Sequence, residues 1–98
     1  MSLSRYGFIV KGADLELFKH HSRIKSELFD IAVSGVQTLE EAIMAAQEML
    51  TRRIEVIELC GGFTAAEEAQ IREAINDHVP LGRVQYRSED QARVDWPD

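Results

Sequence analysis

The chain has 98 residues, is 45% hydrophobic, and sets 17 acidic against 11 basic side chains for a formal net charge of −6. That length allows one domain with a modest core, and that apolar share excludes a disordered chain. The acidic balance argues against nucleic acid as a partner, the single cysteine excludes an intrachain disulfide, and no apolar run reaches the length of a membrane span.

Met1 to Leu3 carry no structural weight, and no secretion signal is expected, so the expected compartment is cytoplasmic. Arg5 to Lys11 sets Tyr6, Phe8 and Val10 against Gly7 and Ile9, the alternation of a strand, and Gly12 ends it. Asp14 is placed to cap a short helical turn through Leu15, Leu17 and Phe18. His20 to Ser26 is polar and reads as irregular. Leu28 to Ser34 reads as the second strand, followed by Gly35 and a Thr38–Glu41 capping box. The helix from Leu39 to about Arg52 turns Ala42, Ile43, Ala46, Met49 and Leu50 inward, and Arg52 and Arg53 suit its negative C-terminal end.

Ile54 to Cys60 reads as the third strand. Ile54, Val56, Glu58 and Cys60 share one face and Glu55, Ile57 and Leu59 the other. Both faces are mostly apolar, the pattern of a strand covered on both sides in a parallel sheet. Gly61 and Gly62 permit a tight reversal, and Thr64 with Glu67 forms a second capping box. Ile71, Ala74, Ile75, His78 and Val79 then keep helical spacing until Pro80 and Gly82. Arg83 to Arg87 reads as the last strand, with Val84 and Tyr86 inward.

SGVQTLEEA and CGGFTAAEEA repeat Gly-x-x-Thr between an apolar strand and an Ala-rich helix, two consecutive strand–turn–helix units. Right-handed crossovers then make the strands around the two helices parallel. The expected fold is α/β: a single small domain with a mainly parallel sheet of about four strands and helices packed on it. Ser88 to Asp98 is a polar tail not expected to fold alone. Its Trp96 packs either on its own domain or on a neighbouring subunit.

In open α/β sheets ligands bind beyond the carboxyl ends of the strands, which places Cys60 to Thr64 at the expected site. Cys60, ahead of a helix N-terminus, is a candidate nucleophile; the alternative is a small buried hydrophobe. Glu58, on the same strand face, is a candidate acid/base if desolvated, against the alternative of a rim carboxylate that is solvated or paired with an Arg. Gly61, Gly62, Phe63 and Thr64 form a turn able to hold a small carboxylate or a neutral polar ligand; no Lys follows the glycines as a P-loop requires. His20 or His21, with Arg23, is a candidate contributor to the same site. No zinc spacing accompanies them, and neither a metal nor a cofactor is expected.

ELCGGF at Glu58–Phe63 and VPLGRVQY at Val79–Tyr86 resemble a family of small prokaryotic α/β proteins of unknown function. The resemblance covers Tyr6 to about Arg87 and implies a His–Arg element between the first two strands, which His20, His21 and Arg23 match. The acidic SEDQARVDWPD tail departs from the Gly-rich, His-containing ending of that pattern. Three functional readings follow: a homo-oligomeric module (dimer or trimer) binding a small molecule or anion, a small enzyme using Glu58 or Cys60, or an interaction module docking through the tail.

Overall fold

The structure, a computed structural model, describes residues 2–97. Met1, in the stretch set aside above, and Asp98, at the tip of the tail, lie outside the described residues. The elements are β1 (Arg5–Lys11), β2 (His21–Lys25), β3 (Asp30–Val36), α1 (Leu39–Thr51), β4 (Val56–Leu59), α2 (Ala65–Ala74), β5 (Leu81–Arg83) and α3 (Ser88–Gln91). The strands form one sheet in the order β2-β3-β1-β4-β5, with β1, β3, β4 and β5 parallel and β2 antiparallel to β3. The α/β class and the mainly parallel sheet hold, with five strands rather than about four.

Register explains which side chains meet. One row across the sheet runs His21, Ser34, Ile9, Leu59, Arg83, and the next runs Arg23, Ala32, Gly7, Ile57, Leu81. These rows face the helices, and Ile9, Ala32, Ile57 and Leu59 are buried against Ala42, Ala45, Ala46, Met49 and Ile71. The small residues of α1 let its axis approach β1 closely. Because α1 and α2 touch each other, they cover the same face.

The opposite rows, Ile24, Ile31, Tyr6, Val56 and then Ser22, Val33, Phe8, Glu58, Gly82, have no helical layer. Val56 and Glu58 are half-buried while Ile57 and Leu59 are buried. The expectation that β4 is covered on both sides is thus corrected: its second face is apolar but half open.

Other boundaries also change, and β4 itself spans Val56–Leu59 rather than Ile54 to Cys60. His20 to Ser26, read as irregular, supplies β2, an edge strand whose five residues are all exposed. A strand with no buried face shows no hydrophobic alternation, which is why composition reads as loop. The second expected strand starts at Asp30 rather than Leu28, because Leu28 lies in the β2–β3 turn, 83% exposed. Helix α2 stops at Ala74, where Asn76 and Asp77 take left-handed φ values of 55° and 51°, leaving His78 and Val79 beyond it. The last strand is Leu81–Arg83, and the tail folds one short turn of helix, α3.

Residues 12–20 form turns rather than a helix, with Phe18 left-handed at φ 64°. The Thr64–Glu67 box closes in both directions. Thr38 accepts from the Glu41 N–H, but the Glu41 carboxylate takes the N–H of Gln37 instead of Thr38, so that box is open on one side. Among the described residues no helix is long and apolar enough to cross a membrane.

Candidate functional site

Strand β4 ends at Leu59, and Cys60 follows with its N–H donated to the Ile9 carbonyl, so the chain leaves the sheet beside the end of β1. Phe63 turns back into the core, 2% exposed, and its N–H donates to the Cys60 carbonyl. Thr64 then caps α2, accepting from the Glu67 N–H while its own N–H donates to the Glu67 carboxylate. This spends two of the donors at the helix start on the protein itself.

What remains at the corner is a cavity of about 410 Å³ lined by Lys11, Gly61, Gly62, Phe63, Thr64, Arg83, Gln91, Trp96 and Pro97. Trp96 of the tail packs over the two glycines. A Cβ on Gly62 would lie 2.7 Å from Trp96 Cε3, and one on Gly61 would lie 2.8 Å from Tyr86 Cε2. Neither glycine has a positive φ, so the demand here is for close approach and not for a special backbone conformation. The tail thus packs on its own domain, the first of the two placements considered for Trp96.

Both charged residues of the wall are cations. Lys11 ends β1, lies 5.6 Å from the centre of the Phe63 ring, and pairs with Glu67 at 3.2 Å. Arg83 ends β5 and pairs with Glu68 at 3.0 Å, the same carboxylate that Arg72 reaches at 2.9 Å. The side chains of Lys11 and Arg83 are only 11% and 17% exposed, so water screens them less than it would surface cations. Glu67 and Glu68 are absent from the wall itself. An acidic chain therefore presents, at the carboxyl ends of β1, β4 and β5, a hollow whose charged wall residues are two cations, each paired with a glutamate.

The other candidates are placed elsewhere. His21 lines a separate cavity of about 250 Å³ between β2 and α1, with Phe18, Ser22, Arg23, Val33, Ser34, Glu48 and Arg52. His21 and Arg83 stand in one row at opposite edges of the sheet. Four strand spacings of about 4.8 Å put them about 19 Å apart. Arg23 reaches toward the other end of β3, where its guanidinium grips Asp30 through two bonds of 2.8 and 2.6 Å. That grip, with burial opposing it, holds the Asp30 carboxyl below its ordinary range. His20 accepts the Glu16 N–H on Nδ1 and the Gly35 N–H on its carbonyl, which fixes the turn after β1.

Glu58 lies on the open face and accepts the phenol of Tyr6. Burial, then this bond, then the carboxylate's charge push the Tyr6 hydroxyl up to about 12. Glu58 also lines a cavity of about 220 Å³ with Gly82, Arg83 and Val84. Cys60 is 5% exposed, and its sulfur accepts the Lys11 N–H at 3.3 Å. Cys60 does not line the cavity that Glu58 lines.

Gly61, Gly62, Phe63 and Thr64 form one continuous motif in the sequence, and Lys11 and Arg83 stand outside it. Lys11 was legible in one respect: it ends a strand next to a glycine. Arg83 was not, because a strand drawn over Arg83 to Arg87 hides that it stands at a strand's carboxyl end.

The corner, the paired cations and the tail that closes over them all fall inside the span that comparison with known families picks out. No curated protein and no solved structure matches. The family described as "Family of unknown function (DUF6506)" matches residues 4–96, past Arg87 and through Trp96, so the tail is part of the shared span and the chain belongs to that family.

Proposed function

We propose that this protein is a cytoplasmic, homo-oligomeric module that binds a small polar or anionic molecule at the Gly61–Gly62 corner. The observation that carries the reading is the cavity at the strand ends, whose charged wall residues are Lys11 and Arg83 and which is flanked by the Phe63 and Trp96 rings. A carboxylate or phosphate entering it exchanges with Glu67 and Glu68 for cations that are already held in place and partly desolvated. The aromatic walls favour a molecule that also has an apolar part.

Homo-oligomerisation is supported by the uncovered sheet face, where Ile31, Tyr6 and Val56 form an apolar row with Ile24 at its edge, 58% exposed. A second reading, an enzyme with Glu58 as acid/base, is favoured by the Tyr6–Glu58 bond beside a cavity that Arg83 also lines. The buried position of Cys60 gives no matching support for a nucleophile. Tail docking on a partner is disfavoured by the inward packing of Trp96.

Calorimetric titration with a panel of small carboxylates and phosphates tests the main reading. At least one should bind, and Lys11→Ala or Arg83→Ala should each weaken it about tenfold. Binding unaffected by both substitutions would remove the corner from consideration.

A further inference from the structure

The tail is held differently from the rest of the chain. Its last tie to the sheet is the Val84 N–H donated to the Leu59 carbonyl at 2.9 Å, and the later backbone bonds stay within the tail. Its ion pairs, Arg87–Glu89, Arg87–Asp90 and Arg93–Asp90, are likewise internal. From Val84 to Asp95 every residue except Asp90 is exposed. What fixes the far end is Trp96, pressed on Gly61 and Gly62 and packed against the core.

That anchor is incomplete. The indole Nε1 is buried, yet no acceptor meets it among the described residues. A buried donor without a partner gives up its bond to water and gains none in return, so the docked ring is held less tightly than its contact area implies. The ring also forms part of the wall shared with Lys11 and Arg83. The unmet N–H thus belongs to a ring beside two cations, and while Lys11 and Arg83 are paired with Glu67 and Glu68, no carboxylate of the described residues reaches the indole.

We propose that the molecule taken at this corner is an oxyanion, that the Trp96 indole N–H is one of its donors, and that residues 85–97 act as the lid that brings it there. The proposal rests on the binding reading above and names its ligand class and its closing element. Without the oxyanion the lid swings about Val84 and docks only loosely. With it, Lys11 and Arg83 hold the charge, the indole N–H turns onto an oxygen, and the tail closes. Gly62 leaves room for the Trp96 ring in this position, and Gly61 leaves room for Tyr86 and the edge of the same ring.

The chain has one tryptophan, so a 15N-labelled sample gives a single indole resonance. The full chain is titrated separately with acetate and with inorganic phosphate at constant ionic strength. The indole proton should move downfield with the same concentration dependence as the amide peaks of Gly61 to Thr64. The ion acting at lower concentration tells a carboxylate ligand from a phosphate one. Amide shifts at Gly61 to Thr64 with a stationary indole peak would overturn the lid while leaving the site standing. No shift at either place with either ion would overturn both.

Trp96→Phe supplies an independent check, keeping a ring on the glycines and deleting the donor. Affinity for the ion should fall about tenfold while the thermal midpoint stays or rises, since an unmet donor has been removed. A purely structural Trp96 gives the reverse, unchanged affinity with a lower midpoint, and that result would overturn the proposal.

Discussion

Tyr6 and Glu58 show how one contact sets a side chain's chemistry. They are 52 positions apart and meet because β1 and β4 are parallel neighbours with Tyr6 opposite Val56 and Phe8 opposite Glu58. The fold favours the protonated phenol, since its value is raised from 10.0 to about 12. The stability this adds is present in full below pH 10 and is lost as pH climbs through about 12. In Glu58→Gln the phenol should titrate lower than in the parent, yet still above 10, because burial is the larger cause and remains. Ultraviolet titration of the phenolate reads this, and an unmoved curve would show that the carboxylate does not act on Tyr6. A partly desolvated carboxylate at Glu58 was legible from its apolar strand. Its partner was not, since nothing in the local pattern says which strand lies alongside.

The element that aims the corner is α2, and its start is set by chemistry that can be read from four letters. Thr64 and Glu67 satisfy each other's backbone N–H groups, and the same spacing in the sequence predicted it. Thr64→Ala should cost about 1 kcal/mol, or roughly 4–8 °C in thermal midpoint for a domain of this size. A scanning calorimetry trace with no change would mean that the box does not hold the helix start. Elements with a buried face were legible in this way, including α1, β4 and the turn between β4 and α2. Strand β2 was not, because an exposed edge strand is specified by its pairing with β3 and not by its own pattern. The end of α2 was missed for a related reason: His78 and Val79 continue the apolar spacing, while left-handed Asn76 and Asp77 end the helix first.

At the scale of the molecule α1 and α2 cover one face of the sheet only, and this shapes the proposal of a homo-oligomer. The open face carries Tyr6, Phe8 and Val10 from β1, Ile31 and Val33 from β3, and Val56 from β4, all half-buried, with Phe8 and Val10 packed against the core. Pairing this face with a second copy removes its apolar side chains from water, with the Glu58 carboxylate keeping its bond to Tyr6 at the rim of the patch. Sedimentation should show a dimer or trimer, and Phe8→Glu should shift it toward monomer. A wild-type chain that sediments as a monomer at high concentration would contradict this. The candidate site lies at the carboxyl ends of the strands, so oligomerisation and binding are separable in experiment. Both faces of β4 are mostly apolar in the sequence, and burial by helices on one side alone follows from α1 and α2 lying together.

The most direct test of the binding claim is a crystal structure of the protein soaked in the tightest binder from the carboxylate and phosphate panel. The ligand's charged group should lie between Lys11 and Arg83, against the Gly61–Gly62 backbone and under Trp96. A ligand seated in the His21 cavity or on the open sheet face, with the corner unchanged, would contradict that claim.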